Sequence, residues 1–164
     1  MAIISGVHGG EFSGPLAATR LIRTVDPDVL AGRLLIVPVL STQAFMQRNM
    51  QLSPVDQREV HFVWPGNPTG TYSDALIDLL FGAVKDADFL LDLHAGEMAQ
   101  ALAPYVVVPW LADGPLWEAS LTLAKAFDVP FVARRTLAET PLALPKRCTT
   151  AESRMCGPRL AATV

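Results

Sequence analysis

The chain has 164 residues, enough for one domain with a sizeable core, and 51% of them are hydrophobic, which excludes a disordered chain. A net charge of −3 without a basic cluster argues against nucleic acid as a partner. No apolar run reaches the roughly 18–20 residues that span a bilayer, so no membrane partner is expected. The opening residues, Met1 to Ser5, lack a basic segment and a run long enough for a signal peptide, so the expected compartment is the cytoplasm. Cys148 and Cys156 have neither zinc-ribbon spacing nor the number for a disulfide framework.

In chain order, residues 2–7 are apolar and β-branched and predict a strand ended by glycines. Ser13-Gly14-Pro15 predicts a helix start with Ser13 as N-cap. Leu16, Ala17, Leu21 and Ile22 follow at helical spacing until Asp26-Pro27. Arg33 to Leu40 is a continuous apolar run, which predicts a strand buried on both faces, with Pro38 marking an edge or a bulge. Ser41 to Gly70 is long and irregular, the kind of loop that usually carries function. Ser73 is the expected cap of a helix whose apolar face is Ala75, Leu76, Leu79, Leu80 and Val84. Strands are expected over Asp88 to His94, Tyr105 to Trp110 and Val129 to Ala133, and a helix over Leu116 to Phe127. Strands alternating with helices predict an α/β fold, a layered mixed sheet flanked by helices.

Two strand ends carry chemistry. His8-Gly9-Gly10-Glu11 puts an imidazole and a carboxylate three residues apart, and zinc accepts both donor types at about 2.0–2.2 Å. The two glycines are expected to supply backbone angles that other residues avoid. The same spacing arises by chance in roughly one such chain in three or four, but its position past a strand's C-terminal end is where α/β sheets bind ligands. His94 closes another apolar strand; it is either a third ligand or a satisfied core histidine. Asp92 points the same way off that strand and is placed to orient an imidazole from behind the metal. Three protein ligands with one open position describe a catalytic zinc.

Gly6-Val7-His8-Gly9-Gly10-Glu11 and Asp92-Leu93-His94 together resemble the succinylglutamate desuccinylase/aspartoacylase family, relatives of the zinc carboxypeptidases. Between them, Pro54 to Gly66 aligns without a gap with that family's Pro-x-Asp-Gly-x-Asp-Leu-Asn-Arg-x-Phe-Pro-Gly. The resemblance covers residues 2 to 133. It implies a zinc carboxypeptidase-like fold, a Zn2+ ion held by His8, Glu11 and His94, and hydrolysis of an amide in a small acylated substrate. Relative to that pattern the chain is expected to be truncated at both ends.

The chain departs from the pattern in two places. Where the family has Asn-Arg, this chain has His61-Phe62. Arginine there would grip a substrate carboxylate in a bidentate pair, which phenylalanine cannot do. A second family arginine falls at Met50, with Arg48 close by. Arg48 and His61 are therefore the candidate substrate contacts, His61 being equally readable as an exposed loop histidine without a role. The other departure is the family's general-base glutamate, which follows a Gly-Ile-Pro stretch. Neither Glu139 nor Glu152 has those surroundings.

Residues 134–164 are accordingly read as a divergent or frameshifted tail without a clear strand, after a catalytic domain over 1–133. In the frame shifted by two bases, permitted codons allow 147–164 to encode Leu-His-Tyr-Gly-Gly-Ile-Pro-His-Val-Arg-Ala-Glu-Ala-Gly-Gly-Asn-Gly, although only the valine is forced. Three functions follow: a zinc-dependent hydrolase of N-acyl amino acids or related small amides, a catalytically impaired zinc-binding remnant, or a non-enzymatic α/β binding domain.

Overall fold

Ala2–Ser5 (β1) and Leu90–His94 (β3) run side by side in parallel, Ala2 against Leu90 and Ser5 against Leu93. Strand alternation sends Ala2, Ile4 and Leu90 to one face of the sheet and Ile3, Leu91 and Leu93 to the other. Helix α3 (Tyr72–Val84) closes the first face with Ile77, Leu80 and Val84, joined by Val60 and Trp64 from the preceding loop. Helices α1 (Ser13–Thr24) and α4 (Pro115–Lys125) close the second with Ala18 and Ala124. Each fully buried Ile, Val or Leu contributes about 1.5–3 kcal/mol, so the two clusters anchor the strand ends that carry the candidate ligands.

This computed structural model describes residues 1–110 and 112–136 and the backbone of Arg159–Thr163. The sheet has six strands in the order β2-β1-β3-β6-β4-β5, where β2 is Leu35–Val37, β4 Tyr105–Trp110, β5 Phe131–Thr136 and β6 Arg159–Thr163. All neighbours pair in parallel except β4 with β6. The mixed α/β sheet flanked by helices is the expected architecture. No described helix is long and apolar enough to cross a membrane.

Several local expectations need correction. β2 is an edge strand, as Pro38 suggested, and its residues are exposed or half-buried instead of covered on both faces. Helix α1 starts after Phe12 and buries Gly14, Pro15 and Ala18, leaving Leu16 at 71% exposure. Its start lies so close to the strands that a Cβ on Gly14 would fall 2.8 Å from the Leu93 carbonyl oxygen, which rotates the small residues inward. Ser73 does not cap α3. A reciprocal box between Thr71 and Asp74 does, and it buries Ile77 while leaving Leu79 exposed. The 41–70 loop holds a short helix α2 (Thr42–Gln47) and a 3-10 turn over Val60–Phe62. The tail, read as strandless, contributes β6, inserted between β3 and β4. Residues 137–158, with Glu139, Glu152, Cys148 and Cys156, lie outside the described residues.

Candidate metal centre

The site lies past the C-terminal ends of β1 and β3, which adjoin in the sheet. After β1 the chain turns at Gly6 with φ +64°, where a side chain would be strained and its Cβ would sit 2.9 Å from Val39 Cα. His8 follows. The expectation that Gly9 and Gly10 serve unusual backbone angles is corrected here, because neither has a positive φ. Gly9 is required for space: a Cβ would lie 2.0 Å from the Ala44 carbonyl oxygen and 2.7 Å from that of Asn49. The turn is thus pressed against the end of α2. At Gly10 the nearest atom to an added Cβ is Met50 Cγ at 3.6 Å, an ordinary contact.

Glu11 is the hub. Its side chain is nearly buried, with Oε1 2.8 Å from His8 Nδ1 and Oε2 3.0 Å from His94 Nδ1. The Ala95 backbone N–H donates to Oε2 as well, at 3.0 Å. One ligand atom from each of His8, Glu11 and His94 lies within 4.8 Å of the others. Two imidazole nitrogens and a carboxylate converging on one point suit a divalent metal of the zinc type. The residues therefore fit the group that their types imply.

Each histidine is held from behind by a second carboxylate. His8 Nε2 lies 3.0 Å from Glu59 Oε1, and Glu59 also accepts from the His61 backbone N–H at 3.1 Å. His94 Nε2 lies 3.1 Å from Asp92 Oδ2, but neither His94 Nε2 nor Asp92 Oδ1 has an aligned hydrogen bond among the described residues. Such backing carboxylates fix the ring orientation and make the ligating nitrogen more basic.

The charges follow this geometry. Burial opposes the imidazolium of His8, yet the hydrogen bonds to Glu11 and Glu59 carry its pKa up to about 9. Burial likewise opposes charge on Glu11, but His8 and His94 bring its pKa down to about 2. His94 is raised well above the ordinary histidine value, against burial, by the charge of Asp92. His61 behaves differently: burial lowers its pKa, despite the nearby carboxylate of Asp92.

The structure thus brings His8, Glu11, His94 and Asp92 together as the sequence suggested. His61 joins them. Its ring stacks on that of His94 at 5.1 Å, 18° from parallel, and is half-buried, which rules out the exposed loop histidine. Arg48 does not join: it is exposed at the end of α2, and among the described residues no ion pair or hydrogen bond ties its side chain to the site. Phe62 is 50% exposed. Glu59 was missed by the sequence reading. The signal was available, since Glu59 aligns with the second aspartate of the Pro-x-Asp-Gly-x-Asp motif.

Known proteins are similar to this chain in sequence and fold. The chain is 29% identical over 130 residues to an N-alpha-acetyl-L-2,4-diaminobutyric acid deacetylase from Halomonas elongata, covering 79% of this chain and 38% of the relative. A crystal structure of a succinylglutamate desuccinylase/aspartoacylase from Rhodobacter sphaeroides superposes with a TM-score of 0.78 at 28% identity, over 99% of this chain and 47% of that one. The product-bound ectoine utilization protein EutE (DoeB) from Ruegeria pomeroyi superposes with a TM-score of 0.81 at 26% identity, over 99% and 48%. The chain therefore spans half or less of the length of these relatives. The catalytic-domain model of one family matches residues 1–153, and the chain belongs to that family, the succinylglutamate desuccinylases and aspartoacylases.

Proposed function

We propose that this chain is the metal-binding part of a zinc-dependent hydrolase that cleaves the amide bond of N-acyl amino acids or related small amides. The observation that carries the reading is the convergence of His8, Glu11 and His94 at the ends of adjacent parallel strands. The family supports it, as does the deacetylase named above. When bound, such a metal polarises an acyl carbonyl and makes water acidic enough to supply hydroxide near neutral pH. The chain's own residues do the rest. His8, Glu11 and His94 hold the ion. Glu59 and Asp92 orient the two rings. His61, stacked on His94, meets the substrate beside the metal, and Arg48, exposed at the end of α2, is the nearest candidate in sequence for gripping a substrate carboxylate.

A second reading, the impaired zinc-binding remnant, has its own support. Glu11, Glu59 and Asp92 each face a histidine, so among the described residues none of these three is spare to act as general base. Losing that base costs about 10²–10⁴-fold in rate. Two measurements decide between them. Metal analysis of the purified chain is expected to find bound zinc, with the ion held by His8, Glu11 and His94 lost in His8→Ala, and a metal-free protein would overturn both readings. Hydrolysis of a panel of N-acyl amino acids then separates an active hydrolase from a remnant, which binds zinc and turns over none of them.

A further inference from the structure

We propose that His61, Asp92 and His94 form a second divalent-cation site, which shares the His94 imidazole with the first. Their ligand atoms lie within 4.8 Å of one another, as close as those of the first group. The two groups use opposite edges of one ring: Nδ1 of His94 faces Glu11 Oε2 at 3.0 Å, and Nε2 faces Asp92 Oδ2 at 3.1 Å. On the second side, Asp92 Oδ1 is buried without a hydrogen-bond partner among the described residues, and His94 Nε2 is buried with only its poorly aligned ion pair to Asp92 Oδ2. Buried polar atoms are almost always satisfied, so an orphaned carboxylate oxygen beside a poorly paired ring nitrogen points to a group that would use both. His61 completes the set. Its ring lies 5.1 Å from that of His94 and makes no hydrogen bond among the described residues.

Three carboxylates, Glu11, Glu59 and Asp92, surround the histidines and supply anionic oxygen beside both groups. Imidazole and carboxylate donors select a borderline transition cation such as Zn2+ or Co2+. This site shares a ligand with the proposed hydrolase centre and, when filled, takes His61 and Asp92 as ligands in place of the substrate contact and ring backing given them above; it does not require that the chain cleave an amide.

Metal stoichiometry tests it. The full chain is stripped with chelator, dialysed against Zn2+ and assayed for metal per chain, with circular dichroism to verify folding. We expect near two ions in the wild type, near one in His61→Asn and near one in His8→Ala. One ion in the wild type, kept in His61→Asn and lost in His8→Ala, would overturn the second site and leave the first standing. One ion lost in both variants means a single shared ion and also overturns it, and no ion at all overturns both sites. Co2+ titration of the wild type asks the same question without a variant: two resolved equivalents of d–d absorption support the second site, and one excludes it.

Discussion

His8 Nε2 lies 3.0 Å from Glu59 Oε1, across 51 residues of chain. The contact joins the turn after β1 to the 3-10 turn at Val60–Phe62, and it aims Nδ1 of the same ring at Glu11. Removing a carboxylate that backs a ligating histidine typically costs 10–100-fold in metal affinity. Glu59→Ala is therefore expected to weaken zinc binding by about that factor, measured by competition with a chromophoric chelator. Glu59→Asp, which restores the residue of the aligned motif, is expected to recover most of the loss. Unchanged affinity in Glu59→Ala would remove its positioning role.

Gly9 and Gly10 are adjacent but not equivalent. A methyl group at Gly9 meets backbone at 2.0 Å, whereas at Gly10 its nearest neighbour is Met50 Cγ at 3.6 Å, an ordinary contact. Overpacking of this kind costs about 1–3 kcal/mol. Gly9→Ala is expected to lose at least that much stability in urea unfolding, and Gly10→Ala well under 1 kcal/mol. Equal effects would show that the turn is not pressed against α2.

Asp56 ties the loop to α3. Its carboxylate accepts from the Ser73 backbone N–H at 2.7 Å and from the Ser73 hydroxyl at 2.8 Å. Some desolvation opposes its charge, but these bonds hold its pKa well below the ordinary carboxylate range. A lowered folded-state pKa stabilises the fold above the unfolded value, about 3.9, and that contribution is lost as pH falls through the folded value. The stability gap between wild type and Asp56→Asn should be about 1 kcal/mol at pH 7 and should shrink steadily below pH about 4. A gap that is constant down to pH about 2 would contradict the assignment.

The coding DNA tests the tail. If residues 147–164 arise from a shifted frame, the alternative frame is expected to read through without stops and to contain Ile-Pro followed by Glu-x-Gly-Gly. A stop codon, or the absence of either motif, would make the tail the chain's own divergence.

Much of the site was legible because it depends on local pattern. Apolar β-branched runs announced β1 and β3, and the polar residues just past their ends announced His8, Glu11 and His94. Asp92 could be placed because strand alternation alone puts it on the side of His94. Helix capping was less legible. Ser73 looked like the cap, but its hydrogen bonds go to Asp56, 17 residues away, and Thr71 with Asp74 takes the end of α3. Glu59 and His61 sit in a loop without periodicity, and only its fold back over the strand ends brings them to the histidines.

By itself, then, the sequence determined the strands, the three ligand candidates and the family, because burial and alternation act over a few residues. Tertiary structure alone decided which groups back those ligands, that His61 stacks on His94, and that Arg159–Thr163 pairs between β3 and β4. These contacts join segments distant in the chain, and neighbouring residues carry no signal for them. The same closure of the loop turns two strand ends into a centre with three carboxylates and three imidazoles.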